Sequence, residues 1–163
     1  MPTGLAPIAV PEGAAPPTDP QAVAEAFLAA LAAPDLKQAS ALVDDDIDYV
    51  NVGLPPVRGR TAMERVFRLF DRPEFGFEVY LHSIAAEGPV VLTERTDVLL
   101  VGRLRIQFWV WGRFDIHDGK ITLWRDSFDF LDVARATVRG LMGMVAPGLQ
   151  PTAPSNAGTP PGR

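Results

Sequence analysis

The sequence contains no cysteine. That single absence removes disulfides, thiolate nucleophiles and cysteine metal sites. There are only two histidines, His82 and His117, too few for a multi-histidine metal centre. No apolar run approaches the roughly 20 residues that a membrane helix requires. The N-terminus, MPTGLAPIAVPEG, has no basic start and no unbroken apolar stretch, so it does not read as a secretory signal. No glycine-rich phosphate loop is present. An excess of basic charge is missing too. The net charge is −5 and the pI about 4.9, which argues against a nucleic-acid partner. The expectation is a soluble, cytoplasmic protein with no metal and no cofactor.

What is present fits one domain. Of 163 residues, 47% are hydrophobic and 21% charged, enough to bury a real core. Residues 1–17 and 147–163 together hold ten of the sixteen prolines. Proline lacks an N–H and fixes φ, so both ends read as disordered tails around a domain at 18–146. Thr18-Asp19-Pro20-Gln21 opens a first helix that carries Phe27, Leu28 and Leu31, and Pro34 ends it. Asp35 caps a second. Asp44-Asp45-Asp46 reads as a polar turn, and Ile47–Val52 as a short strand. Thr61-Ala62-Met63-Glu64 reads as a capping box for a third helix with Val66, Phe67 and Phe70 on its apolar side. The period then becomes two. Runs at about 74–86, 89–101, 103–117 and 120–130 read as a four-stranded meander, with Asp118-Gly119 as a hairpin turn. A last helix at 131–145 sets Leu131, Ala134, Val138, Leu141 and Val145 on one face. Helices, a meander and a helix predict an α+β fold.

Alternation sorts the strand residues by face. Val91, Arg95, Asp97 and Leu99 share one. Trp124, Asp126 and Phe128 share another, as do Tyr49 and Asn51. An ion-pair ladder on a wet sheet surface would be ordinary. Here, however, each charge is flanked by bulky apolar residues. The central strand is apolar on both faces, with Ile106, Phe108 and Val110 on one and Trp109 and Trp111 on the other. Buried charges are costly unless paired. Two carboxylates sharing one arginine is a pairing that makes them tolerable. Such a pair can hold separated pKa values, one group an ionised base and the other a protonated acid. A nearby tyrosine and asparagine can hold water. These are parts for adding water across a strained, polarised bond.

Tyr49-Val-Asn51, Leu54-Pro55-Pro56, Thr93-Glu94-Arg95-Thr96-Asp97 and Trp124-Arg125-Asp126-Ser127-Phe128-Asp129 occur in order. Together they resemble the limonene-1,2-epoxide hydrolase family from about residue 20 to 145. The resemblance implies a curved, mixed, largely antiparallel sheet that takes in the first strand. Its helices close a deep pocket, in the cone shape shared with nuclear transport factor 2. It implies Asp126 as the base for water, Tyr49 and Asn51 as the water's holders, Asp97 as the acid and Arg95 as the bridge. Leu28, Leu31, Leu99, Phe108, Val110, Phe128 and Val133 match the apolar wall, and the implied substrate is a small lipophilic epoxide. Ser127 stands where the family often has tyrosine, and the loop between the second and third long strands is short.

Two other readings use the same cone. An isomerase would need an aspartate base and a tyrosine donor, but no arginine between carboxylates. A non-catalytic ligand-binding or dimerisation module would need no convergence of Asn51 and Asp126. His82 reads as a wet-face residue and His117 as exposed. Trp109 and Trp111, rimmed by Arg105, Gln107 and Arg113, point to a homodimer through the sheet's outer face.

Overall fold

The computed structural model describes residues 17–33 and 35–154. Helix α1 (Pro20–Ala32) starts where Asp19 accepts the Ala22 amide at 3.0 Å, with Pro20 in its first turn. Helix α2 (Leu36–Ala41) starts where Asp35 accepts the Gln38 amide at 2.9 Å. Both caps satisfy amides that a helix start leaves unpaired. Strands β1 (Val43–Asn51) and β2 (Val57–Arg58) follow, then helix α3 (Arg60–Phe67) and a 3₁₀ turn, Arg68–Asp71. The meander comprises β3 (Phe75–Glu87), β4 (Val90–Val101), β5 (Leu104–His117) and β6 (Lys120–Ser127). Helix α4 (Phe130–Val145) and a short turn, Pro147–Leu149, close the order.

The sheet runs β2-β1-β6-β5-β4-β3. Every pairing is antiparallel except β1 with β6. The fold is therefore α+β with a mixed sheet, as expected. Asp118 and Gly119 both adopt positive φ, 50° and 73°, which the tight turn between β5 and β6 demands. Helix α1 lies across the inner face against β3, β4, β5 and β6. Its Val23, Ala24, Phe27, Leu28 and Leu31 are buried there. Trp124 is the hub of the core, with ring centroids 5.0 Å from Phe27, 4.3 Å from Tyr49 and 5.6 Å from Phe67.

Several local expectations are corrected. The acidic run is not a turn but the start of β1. Val43 and Ile47 are fully buried on its inner side, while Asp45 and Asp46 are exposed. The register slips between Val43 and Asp48, and Asp44 Oδ1 accepts the Asp46 amide released by the slip. Helix α3 has no Thr61 cap. It begins after Gly59, held at φ 84° with its amide bonded to Ile47 O at 2.7 Å. Met63 and Phe67 are its buried residues, and Val66 is exposed. Strand β6 ends at Ser127 rather than 130, because Asp129 caps Leu131 and turns the chain into α4.

Helix α4 is the largest surprise. Its expected apolar face, Leu131, Val138, Leu141 and Val145, is turned to solvent. The buried residues are Gly140 and Gly143. Beyond the end of β6 the free half of β5 meets this helix. Asp132 accepts the Trp109 amide at 3.4 Å, and a Cβ on Gly140 would stand 2.4 Å from Arg105 O. Backbone approaches backbone so closely that only glycine fits. Residues 147–154, expected within a disordered tail, pack on the domain. Pro151 is buried, and Thr152 O accepts from the buried amide of Gln107 at 3.2 Å. Residues 1–16 and 155–163 of the expected tails, and the helix-ending Pro34, lie outside the described residues.

Candidate active site

Three strands bring the predicted polar residues together on the inner face. Arg95 and Asp97 stand two apart on β4, and Trp124 and Asp126 two apart on β6. Parallel pairing sets Tyr49 of β1 beside Trp124, and Asn51 beside Asp126. Arg95 is 0% exposed, and Asp97 and Asp126 are each 4% exposed. Arg95 Nε donates to Asp97 Oδ1 at 2.9 Å, and Nη2 donates to Asp126 Oδ2. The guanidinium thus spans from β4 to β6 and ties the two carboxylates into one buried group.

Two partners were not assigned from the sequence. Trp124 Nε1 donates to Asp126 Oδ1 at 2.8 Å. Thr93 Oγ1 accepts from Arg95 Nη1 at 3.2 Å and is buried. The signal for both was the two-residue spacing, since Thr93, Arg95 and Asp97 alternate onto one face, as do Trp124 and Asp126.

The electrostatics follow from burial and donors. Burial pushes Asp97 up to about 6; Arg95 opposes this, and Asp126 adds to it. Burial also raises Asp126, against Arg95 and the Trp124 hydrogen bond. Burial works against the charge on Arg95, but Asp126 and Asp97 outweigh it and hold the guanidinium firmly protonated. Donor count separates the carboxylates. Among the described residues, Asp126 receives N–H groups from Arg95 and Trp124, whereas Asp97 receives one from Arg95 alone. Hydrogen bonds to the charged form favour it, so the donors favour the ionised form of Asp126 more than that of Asp97. Tyr49 is pushed up to about 12, by burial first. Its phenol stays neutral and can donate.

The expected wall residues divide. Phe108 lies opposite Asp97 and Val110 opposite Arg95 on β5, both buried. Directly opposite residues share a face, so both flank the carboxylates. Phe128 packs edge-on against Phe108 at 5.6 Å. Leu99 follows Asp97 on the same face and is half-buried. Leu28 and Leu31 are buried in the α1 core cluster. Val133 is half-buried on α4. Among the described residues, no three His, Cys, Asp or Glu side chains come together as metal ligands. Nor is any helix there long and apolar enough to cross a membrane.

The outer face also differs from expectation. His82 is half-buried, not wet: its Nε2 lies 2.8 Å from Thr96 Oγ1, and its ring stacks on Trp109 at 4.7 Å. His117 is exposed, as expected. Trp111 is 58% exposed. A cleft of about 310 Å³ there is lined by Leu92, Trp111, Arg113 and Arg125 among others. A larger groove of about 440 Å³ lies along α4, away from the carboxylates.

The chain is similar to known proteins over most of its length. The limonene-1,2-epoxide hydrolase catalytic domain matches residues 18–139. Epoxide hydrolase EphG of Mycobacterium tuberculosis is 47% identical over 128 residues, 78% of this chain and 85% of that protein. A solved structure of an LEH-like epoxide hydrolase from M. tuberculosis superposes with a TM-score of 0.79 at 45% identity. That match covers 83% of this chain and 96% of the other. An NTF2-like protein from Burkholderia xenovorans shares the fold at TM-score 0.58 and 22% identity, covering 76% and 99%. The chain belongs to the limonene-1,2-epoxide hydrolase family.

Proposed function

We propose that this epoxide hydrolase adds water to a small lipophilic epoxide in one step, giving a vicinal diol without metal or covalent intermediate. The observation that carries the reading is the buried Asp97–Arg95–Asp126 bridge with unequal donors on its two carboxylates. Ionised Asp126 takes a proton from water held by Tyr49 and Asn51. The water oxygen bonds to an epoxide carbon as that carbon's C–O bond breaks. Asp97 gives its proton to the leaving oxygen, which would otherwise depart as a poor alkoxide. Each proton transfer can contribute roughly 10²–10⁴-fold. Asp126 is then protonated and Asp97 ionised, and exchange with solvent resets the pair.

What supports a lipophilic substrate is the wall. Leu99, Phe108, Val110 and Phe128 flank the carboxylates, and Leu28, Leu31 and Val133 are assigned to the same wall by the family resemblance. The chain works as a two-fold dimer through the outer face around Trp111. The experiment for the chemistry is a single turnover in ¹⁸O-labelled water, with mass spectrometry of diol and protein. Label belongs in the diol alone. Label in an Asp126 carboxyl oxygen means a covalent ester and defeats the one-step scheme.

A further inference from the structure

Arg95 and Asp126 stand on strands that are not neighbours. Strand β5 runs between them, and its Gly112 is aligned with Thr93 on one side and Asp126 on the other. The guanidinium crosses β5 at this point. A Cβ on Gly112 would stand 2.2 Å from Arg95 Nη1, 2.5 Å from Thr93 Oγ1 and 3.2 Å from Asp126 Oδ1. Gly112 is not among the glycines with positive φ, so its backbone does not require glycine. The space does. A glycine inside a strand marks a close approach, and here what approaches is a buried side chain tied at Nε, Nη1 and Nη2. Such a guanidinium has nowhere to withdraw.

Thr93 completes the seat. Its hydroxyl is buried and accepts from Nη1, the nitrogen that faces neither carboxylate. We propose that Thr93 and Gly112 are positioning residues for the hydrolysis. Thr93 anchors the guanidinium and Gly112 clears its path, so that one arginine reaches both carboxylates. The inference rests on the acid/base reading above, since neither residue touches the reacting atoms.

The test is an NMR carboxyl titration of the full chain carrying ¹³Cγ-labelled aspartate, with no substrate present. A displaced guanidinium favours the ionised carboxylates less, so their titration moves to higher pH. Thr93→Val keeps the shape and loses the acceptor. It should move the Asp97 and Asp126 signals upward by about one pH unit, a common size for environmental shifts. Thr93→Ser restores the hydroxyl and should bring them back. Gly112→Ala should move them further. Should Gly112→Ala fail to fold, the two Thr93 variants decide alone. An unchanged titration in Thr93→Val overturns the proposal, as does an equal shift in Thr93→Ser. Turnover of cyclohexene oxide separates this from the reading beneath it. If Asp97→Asn and Asp126→Asn keep the wild-type rate, the acid/base reading fails. If both are dead while Thr93→Val titrates like wild type, only the positioning inference fails.

Discussion

Trp124 donates its indole N–H to Asp126 from two residues back on the same strand, at 2.8 Å. Among the described residues Asp97 has no such second donor, and in the proposed mechanism that asymmetry makes Asp126 the base and Asp97 the acid. In that mechanism the pair titrates as a unit, and its active form carries one proton. Activity should therefore fall as pH rises above about 6, where Asp97 ionises, and fall again at low pH, where Asp126 gains its proton. Trp124→Phe removes the donor and keeps a flat ring in the core. The acid limb of kcat/KM should move up by about one pH unit. A pH–rate profile on any turned-over epoxide checks this. An unmoved acid limb would show that Asp126 is not the base.

Asp126→Asn and Asp97→Asn should each lower kcat by about 10²–10⁴-fold while the fold survives. Asparagine is nearly isosteric but can neither accept the water's proton nor supply one to the epoxide oxygen. Circular dichroism separates a dead fold from dead chemistry. A folded variant at wild-type rate removes that carboxylate from the mechanism.

The same substitution has a stability signature of definite sign. Asp97 is raised from 3.8 to about 6, so the folded state binds its proton more tightly than the unfolded state does. Its contribution is most favourable below pH 4 and is lost as pH rises to about 6, a span worth about 3 kcal/mol. An asparagine in its place mimics the protonated form at every pH. Asp97→Asn should match wild type in urea unfolding at pH 4 and exceed it at pH 7. Equal stability at both pH values would contradict the raised pKa. A more stable, inactive variant is the usual trade-off at a strained site.

Arg95→Ala should behave oppositely. It leaves two carboxylates buried near each other with no cation. Removing one partner of a buried pair costs about 3–5 kcal/mol. The loss should be greatest at neutral pH and smaller at acid pH, as the two carboxyls gain protons. Denaturant midpoints across that range measure it. A uniform loss at every pH would mean that the arginine contributes packing alone.

Much of this was legible in the sequence, because alternation in a strand is a strict geometric rule. It placed Arg95 with Asp97, Trp124 with Asp126 and Tyr49 with Asn51 on common faces. Apolar neighbours on those faces pointed to burial. What alternation does not give is what lies between strands. The seat over Gly112 depends on β5 standing between β4 and β6 in one register, and a lone glycine in a strand has several meanings. The parallel partner of β1 came from the family resemblance, since no local signal names a strand's partner. Helix α4 misled for a related reason. Its apolar stripe reads as the packing face, yet two glycines dock it on the β5 backbone and leave that stripe outside. The acidic run of β1 failed because burial of Val43 and Ile47 outweighs the turn preference of three aspartates.

The outer face yields the last prediction. The sequence set Trp109 and Trp111 side by side as an apolar patch, but only half of that patch is open. His82 stacks on Trp109 at 4.7 Å, and the rings of Trp109 and Trp111 meet at 70°. Trp111 is exposed, and Leu92 beside it is 53% exposed. Arg113 and Arg125 border the cleft, with Glu94 also in its lining. Tryptophan and arginine are enriched where proteins meet, and charges of both signs at a rim can pair across a two-fold axis. A dimer through this face should sediment at twice the 17.6 kDa of the chain. Trp111→Glu places a charge at the centre of the patch, on the side of the sheet away from the carboxylates. It should give the monomer mass at micromolar concentration with secondary structure intact. His82→Ala, which uncovers Trp109 without touching Trp111, should leave the dimer in place. Sedimentation equilibrium reads all three. A wild-type monomer removes the dimer outright, and a Trp111→Glu dimer moves the interface elsewhere, with the exposed stripe of α4 next in line.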